Sequence, residues 1–330
     1  MAASPLPPGT TAWLLTDGKA GDEVQCLAVA EALGLTLDSG HLEIRRVKPR
    51  LPFALAMPWG PIDPRDAPGR TGSPIAPPFP DLCIASGRRA VPFLRALKRA
   101  SGGRSFTMFL KDPRTGAGAA DLIWVPEHDR LRGPNVVVTL TPPHRASRAR
   151  LAAARAAPDP RLDAVPRPRA AVLVGGDSRH HRFGRKDIAR FVLHLEQLAR
   201  SGAGLMITAS RRTPERLLEA LPSLAARSRG YYWDGAGDNP YIPMLALADA
   251  VVVTADSTNM VGEAAATGAP LLVFEPSGGH RKIGTFLARL RDHGAVKPFE
   301  GRLEAFVYEP IDSTDLIAGA LASAYLASRP

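Results

Sequence analysis

Short apolar runs alternate with stretches of helical period along the whole chain. The first run, Trp13-Leu14-Leu15, leads into the polar loop Thr16-Asp17-Gly18-Lys19-Ala20-Gly21-Asp22, and a helical pattern over 24–33 stops at Gly34. Strand, glycine loop, helix is the opening of a parallel α/β unit. Further strands are predicted at 42–47, 82–85, 106–110, 122–125 and 136–140, with a helix at 91–100. After a proline-rich stretch at 158–168 the alternation restarts. Strands are predicted at 171–174, 205–208, 231–233, 251–253 and 271–274, and helices at 186–200, 214–225, 241–248, 258–267, 283–291 and 313–327. Runs such as Val251-Val252-Val253 and Val136-Val137-Val138 are continuous rather than alternating, as parallel strands covered on both faces require. The expectation is α/β, with two Rossmann-like doubly wound domains facing a cleft, 1–160 and 161–330. The proline-rich stretch reads as the linker, and the last helix is a candidate to pack back on the first domain. Ligands of such sheets bind beyond the carboxyl ends of the strands, so the cleft is the expected site. Residues 58–80, dense in Pro, Gly and Asp, read as an irregular surface insertion. Residues 52–59 read as a short buried helix or strand under a loop, with a membrane-docking edge as the alternative.

Composition narrows the class. Of the 330 residues 45% are hydrophobic and 22% charged, which excludes a wholly disordered chain. No stretch approaches the ~18 consecutive apolar residues of a membrane span, and the first residues, MAASPLPPGT, lack the layout of a signal peptide. Cys26 and Cys83 have no metal-type spacing and cannot form a disulfide framework, so a cytoplasmic protein is expected. The net charge of +10 favours anionic partners. No basic stripe is interleaved with aromatics, so nucleic acid is not expected. The remaining anions are a phosphorylated small molecule and an anionic membrane surface at which the protein would sit peripherally. Most of the arginines read as solvated surface.

Four loops hold candidate chemistry. Thr254-Ala255-Asp256-Ser257-Thr258-Asn259-Met260 begins as a strand ends; Asp256 or Ser257 caps the next helix, and such a start suits a pyrophosphate. Glu263, about one and a half turns on, is placed to accept two ribose hydroxyls; a plain cap followed by a surface glutamate fits the spacing equally. Gly175-Gly176-Asp177 lets a ligand approach the backbone, or simply makes a tight turn. The basic run behind it, with His180 and His181 adjacent, makes a poor metal site. Ser210-Arg211-Arg212, Ser86-Gly87-Arg88 and Lys111-Asp112 each put cations or hydroxyls at a strand's carboxyl end, and a phosphorylated ligand would give them a common reason. In the first loop Asp17 and Asp22 are candidate general bases, with Gly18, Lys19, Gly21 and Gln25 around them. For Asp22, helix capping is the simpler reading.

The segment 247–273 resembles the nucleotide-binding domain of GT-B glycosyltransferases, and the muramyl-pathway N-acetylglucosaminyltransferases in particular. The resemblance implies that Glu263 holds the ribose of a sugar nucleotide and that Ser257, Thr258, Asn259 and Met260 face phosphate. The first loop keeps a similar frame, Gly21-Asp22-Glu23-Val24-Gln25-Cys26-Leu27-Ala28-Val29-Ala30, with Asp22 where those enzymes have histidine. Over nearly the whole chain the motifs 16–25, Ser86-Gly87-Arg88, Lys111-Asp112-Pro113, Gly175-Gly176-Asp177 and 254–263 resemble the mitochondrial-fission family named for elongated mitochondria, and the chain reads as a bacterial member. Plant members of that family are described as recruiting a dynamin-related GTPase, and bacterial ones are often labelled sugar-nucleotide epimerases. The expectation is a glycosyltransferase using a nucleotide-diphosphate sugar as substrate, with no cofactor and no metal, and Asp17 or Asp22 as base. The alternatives are an epimerase or hydrolase of the same fold, using His144 or His180, and a non-catalytic membrane-surface or fission-type interaction protein. Oligomeric state is not legible.

Overall fold

Twelve strands form two six-stranded, wholly parallel sheets among the described residues. The computed structural model describes residues 6–329; residues 1–5, part of the leading stretch read above, and Pro330 lie outside the described residues. The chain divides into two compact units. The first comprises the residues up to Arg145 together with those from Ser313 onward, and the second is Ala146–Asp312.

In the first unit the elements run β1 (Ala12–Thr16), α1 (Ala20–Ala32), β2 (Leu42–Arg46), α2 (Phe53–Ala56), β3 (Leu82–Ser86), α3 (Ala90–Ala100), β4 (Phe106–Leu110), β5 (Leu122–Pro126) and β6 (Val136–Thr139). In space the strands lie in the order β2-β1-β3-β4-β5-β6. Residues 12–16, 82–86, 106–110 and 122–126 are buried at every position, because helices or loops cover both faces. One face carries Leu14, Ile84, Met108 and Trp124, and the other Leu15, Ala85, Phe109 and Val125. The last helix of the chain, Thr314–Ala327, inserts Ile317, Leu321 and Tyr325 among Leu14, Val29 and Ile84 on the first of these faces.

The second unit runs α4 (Arg148–Ala156), α5 (Pro160–Asp163), β7 (Arg169–Val174), α6 (Arg185–Arg200), β8 (Gly204–Ala209), α7 (Glu215–Arg227), β9 (Tyr231–Trp233), α8 (Tyr241–Leu247), β10 (Ala250–Thr254), α9 (Thr258–Ala265), β11 (Leu271–Phe274), α10 (Arg281–Asp292) and β12 (Val296–Pro298); Thr314–Ala327 is then α11. Its strand order is β12-β11-β10-β7-β8-β9. The proline-rich stretch lies inside this unit, where Asp159 caps α5 through the Arg161 amide, and the change of unit comes earlier, between Arg145 and Ala146.

Two local expectations are corrected. The first helix begins at Ala20, four residues before the apolar pattern, so Asp22 lies inside its first turn and does not cap it; the cap position is Lys19. Residues 52–59 do contain a short helix, α2, but only Ala54, Met57 and Pro58 of them are buried, while Leu55 and Trp59 are exposed. No helix among the described residues is long and apolar enough to cross a membrane.

Candidate functional site

Both sheets reverse their strand order once. In the first unit β1 is followed spatially by β2 on one side and β3 on the other; in the second, β7 lies between β8 and β10. A doubly wound sheet opens a crevice beyond the strand ends at such a reversal. The loops after β1 and β3 therefore border the crevice of the first sheet, and those after β7 and β10 that of the second. They contain Asp17 and Gly87 in one unit and Gly175, Gly176 and Asp256 in the other.

In the first unit Asp17 leaves β1 with its side chain only 4% exposed. Oδ2 accepts from Lys19 Nζ at 3.0 Å; Oδ1 is enclosed and has no hydrogen-bond partner among the described residues. The carboxylate lies on the backbone of Gly87, whose φ is +96°; a Cβ there would come within 2.8 Å of Asp17 Cγ. Gly87 thus makes room for a carboxylate of the chain itself. Gly18, also at positive φ, turns the chain so that its N–H reaches Thr16 Oγ1 at 3.3 Å. Gly21 is exposed in the first turn of α1 and Gln25 is buried one turn on. Asp22 is buried and ion-paired with Lys111, which leaves β4 at φ +82° and is itself 42% exposed. Ser86 is buried and donates to the Leu110 carbonyl at 3.3 Å, while Arg88 is exposed at the start of α3.

In the second unit the Gly175-Gly176 loop is clamped by neighbouring loops. Thr254 Oγ1 accepts from the Gly175 amide at 2.8 Å and donates to Asp256 Oδ1 at 2.7 Å; Asp256 Oδ2 accepts from the Gly176 amide at 3.0 Å and from Arg212 at 2.8 Å. The Asp256 side chain is wholly buried. A Cβ on Gly175 would collide with that carboxylate, and one on Gly176 with the backbone of Arg212 and Thr213. Asp256 therefore positions the loop, and the glycines admit the chain's own groups. Arg212 also donates to the Asp177 carbonyl at 2.9 Å, while Arg211 is exposed and Ser210 Oγ accepts from the Arg212 amide at 3.1 Å. Asp177 Oδ1 accepts from the Phe183 amide at 2.8 Å.

Ser257 is the cap of α9, accepting from the Met260 amide at 3.4 Å, and 257–260 are half-buried. Glu263, on the same helix, is half-buried and accepts from Tyr241 Oη at 2.6 Å. Burial pushes its carboxyl up to about 7, against the opposing pull of the Tyr241 hydrogen bond. The Tyr241 phenol is raised in turn, by burial first and by the Glu263 charge second. Behind the glycine loop His181 pairs with Gly278 through the backbone, and the His180 ring sits 4.2 Å from that of His280. Burial, then the His280 charge, lowers the His180 pKa.

Sequence reading missed Tyr241 and Thr213, and gave Arg212 no role of its own beside Arg211. Arg211 and Arg212 are indistinguishable by composition; only the side of the turn each occupies separates them. Tyr241 lies on a different helix, 22 residues before its partner, and has no local motif.

Comparison with solved structures gives the fold. The chain superposes on MurG of Acinetobacter baumannii with a TM-score of 0.50 at 16% identity, covering 96% of this chain and 92% of that one. It superposes on the UDP-GlcNAc 2-epimerase of Methanocaldococcus jannaschii, solved with UDP-GlcNAc and UDP, with a TM-score of 0.52 at 12% identity, covering 97% and 100%. The fold is that of the GT-B glycosyltransferases and epimerases. In sequence it is 29% identical over 264 residues to the mitochondrial fission protein ELM1 of Arabidopsis thaliana, and 31% identical over 157 residues to protein RP120 of Rickettsia prowazekii. It spans 61% of the length of the first relative and 44% of the second. The mitochondrial fission ELM1 family model matches residues 20–325, and the chain belongs to that family.

Proposed function

We propose that the second unit binds the nucleoside diphosphate of a sugar donor and that the chain is a GT-B-like glycosyltransferase. The observation that carries this reading is Glu263. A carboxyl kept half-buried, titrating near neutrality and fixed by Tyr241, on the helix that follows the strand at the order reversal, is placed to accept ribose hydroxyls. Ser257, Thr258, Asn259 and Met260, at the start of that helix, would receive the diphosphate, with the Gly175-Gly176 loop held in place by Asp256. Ser210 and Arg211, with Asp177, would border the base or phosphate.

In the transfer step the acceptor oxygen attacks the anomeric carbon, and the bond to the diphosphate oxygen breaks with its electron pair. The acceptor proton goes to a carboxylate. Asp17 is assigned that role over Asp22, because among the described residues Asp17 Oδ1 has no hydrogen-bond partner, its other oxygen pairing with Lys19, while Asp22 is held by Lys111. Ser86, Arg88, Lys111 and Lys19 would bear on the acceptor side; Gly18, Gly21 and Gln25 shape the loop. Cations stabilise the departing diphosphate without metal or cofactor in this reading. In this reading the protein is cytoplasmic.

Calorimetry against UDP, GDP, ADP, CDP and UDP-GlcNAc tests the reading. Binding of one of them is expected, weakened about tenfold or more in Glu263→Gln. Asp17→Asn should bind as tightly and transfer nothing. No heat from any nucleotide at saturating protein would sink the proposal, and an epimer formed without acceptor would move it to the epimerase reading.

A further inference from the structure

Eight large apolar side chains are exposed among the described residues, and three of them fall within nine positions: Leu51, Leu55 and Trp59, at 70%, 73% and 66%. The segment that carries them is held firmly. Ala54 and Met57 are buried and Phe53 packs on the core face formed by Trp13, Phe93 and Phe109. Arg50, at its start, pairs with the buried Asp63 at 2.6 Å, and Asp63 also accepts from the Arg65 amide at 3.0 Å. The apolar knobs therefore project from an anchored segment, Leu55 on α2 and Leu51 and Trp59 on either side of it.

Their surroundings are cationic. Residues 47–62 contain no acid and expose Lys48 and Arg50; beyond them Arg65 and Arg70 are exposed, while Asp63 is buried and Asp66 half-buried. Trp59 lines a groove of about 620 Å³ with Ile62, Pro68, Pro92 and the exposed Arg95 and Arg99 of α3. Leucine and tryptophan knobs with guanidinium groups beside them match the acyl–headgroup boundary of a negatively charged bilayer. We infer that this face of the first unit docks on an anionic membrane surface, with Leu51, Leu55 and Trp59 inserted and Arg95 and Arg99 on the headgroups. The docking is independent of the nucleotide reading above, since none of these residues belongs to that site.

Flotation of the full-length chain with phosphatidylcholine vesicles, with and without phosphatidylglycerol, at low and high salt, tests the inference. The protein should float with the anionic vesicles at low salt and be released by high salt, because exposed charges are screened. Leu55→Ser and Trp59→Ser should each lower partition about tenfold, the scale of one buried apolar side chain. Arg95→Ser should lower it about fivefold on anionic vesicles only. Far-ultraviolet dichroism and an unchanged denaturant-unfolding midpoint confirm that the variants fold. Tryptophan emission should shift to the blue on anionic vesicles, and the shift should vanish in Trp59→Phe. Absence of flotation at low salt, or flotation untouched by Leu55→Ser and Trp59→Ser, overturns the inference. A dimer lost in Leu55→Ser, without flotation, assigns the face to a second copy and overturns it equally.

Discussion

A carboxyl that titrates near neutrality needs a cause, and at Glu263 the cause is burial against Tyr241. Its ordinary value is 4.5 and its folded value about 7, so between those two the folded chain holds a proton that the unfolded chain has released. Stability from this group is full below the lower value and is lost as pH rises through the upper one. Glu263→Gln, which removes the titration, should flatten that slope and raise stability at about pH 8 by on the order of 1–3 kcal/mol, with little change at about pH 4; denaturant unfolding at the two pH values measures it. Tyr241→Phe should push the carboxyl higher still, read by NMR titration, because the lost hydrogen bond favoured the charged form. Donor hydroxyls bind the ionised carboxylate, so nucleotide affinity should rise with pH through about 7 in the wild type and not in Glu263→Gln. Glu263 was legible because its helix start, strand and glycine follow in sequence. Its partner was not, because a contact between two helices leaves no mark in either one's pattern. Asp17 and Asp22 show the same limit: both were read as bases, and while Lys19 lies two residues from Asp17, the Lys111 that holds Asp22 lies 89 residues away.

At the scale of elements the strands were the easiest to read, because burial on both faces leaves no polar position inside 12–16 or 250–254 except the terminal threonines. Some short or arginine-rich elements escaped. β12 has three residues, and α4 presents an Arg and Ala pattern with Leu151 as its one buried side chain. The loops held more than their glycines announced. Gly175 and Gly176 looked like room for a ligand, and the structure fills that room with Asp256 and with the Arg212–Thr213 backbone. Gly176→Ala, which meets backbone that cannot rotate away, should cost about 1–3 kcal/mol. Gly284→Ala lies on the exposed face of α10 with nothing within 4 Å, and should gain about 0.5–1 kcal/mol from helix propensity. Chemical denaturation of the two variants beside the wild type reads both signs, and a neutral Gly176→Ala would show that the loop yields where the packing says it cannot.

The whole molecule is assembled from two cores, and the chain does not visit them in simple succession. Two repeats of strand and helix were readable from the restart of the alternation after 158–168. The place where one unit yields to the other was not, because α4 and α5 open the second unit inside a stretch whose composition resembles a linker. The return of α11 to the first unit is the packing expected of the last helix, though the apolar period does not specify which residues it meets. Ile317, Ala318, Leu321, Ala322 and Tyr325 are all buried in the cluster of Leu14, Cys26, Val29 and Ile84. The first unit is therefore closed by residues that follow the entire second unit. Leu321→Ala removes a fully buried side chain from that cluster and should cost about 2–5 kcal/mol. Because Leu321 touches none of the cluster built by Val172, Leu195, Ile207 and Leu272, the loss should be local. Hydrogen exchange in the variant should show weakened protection for the amides of β1, β3 and β4, with β7, β8 and β10 protected as before. Equal weakening of both sheets would mean that the two cores do not hold their stability separately.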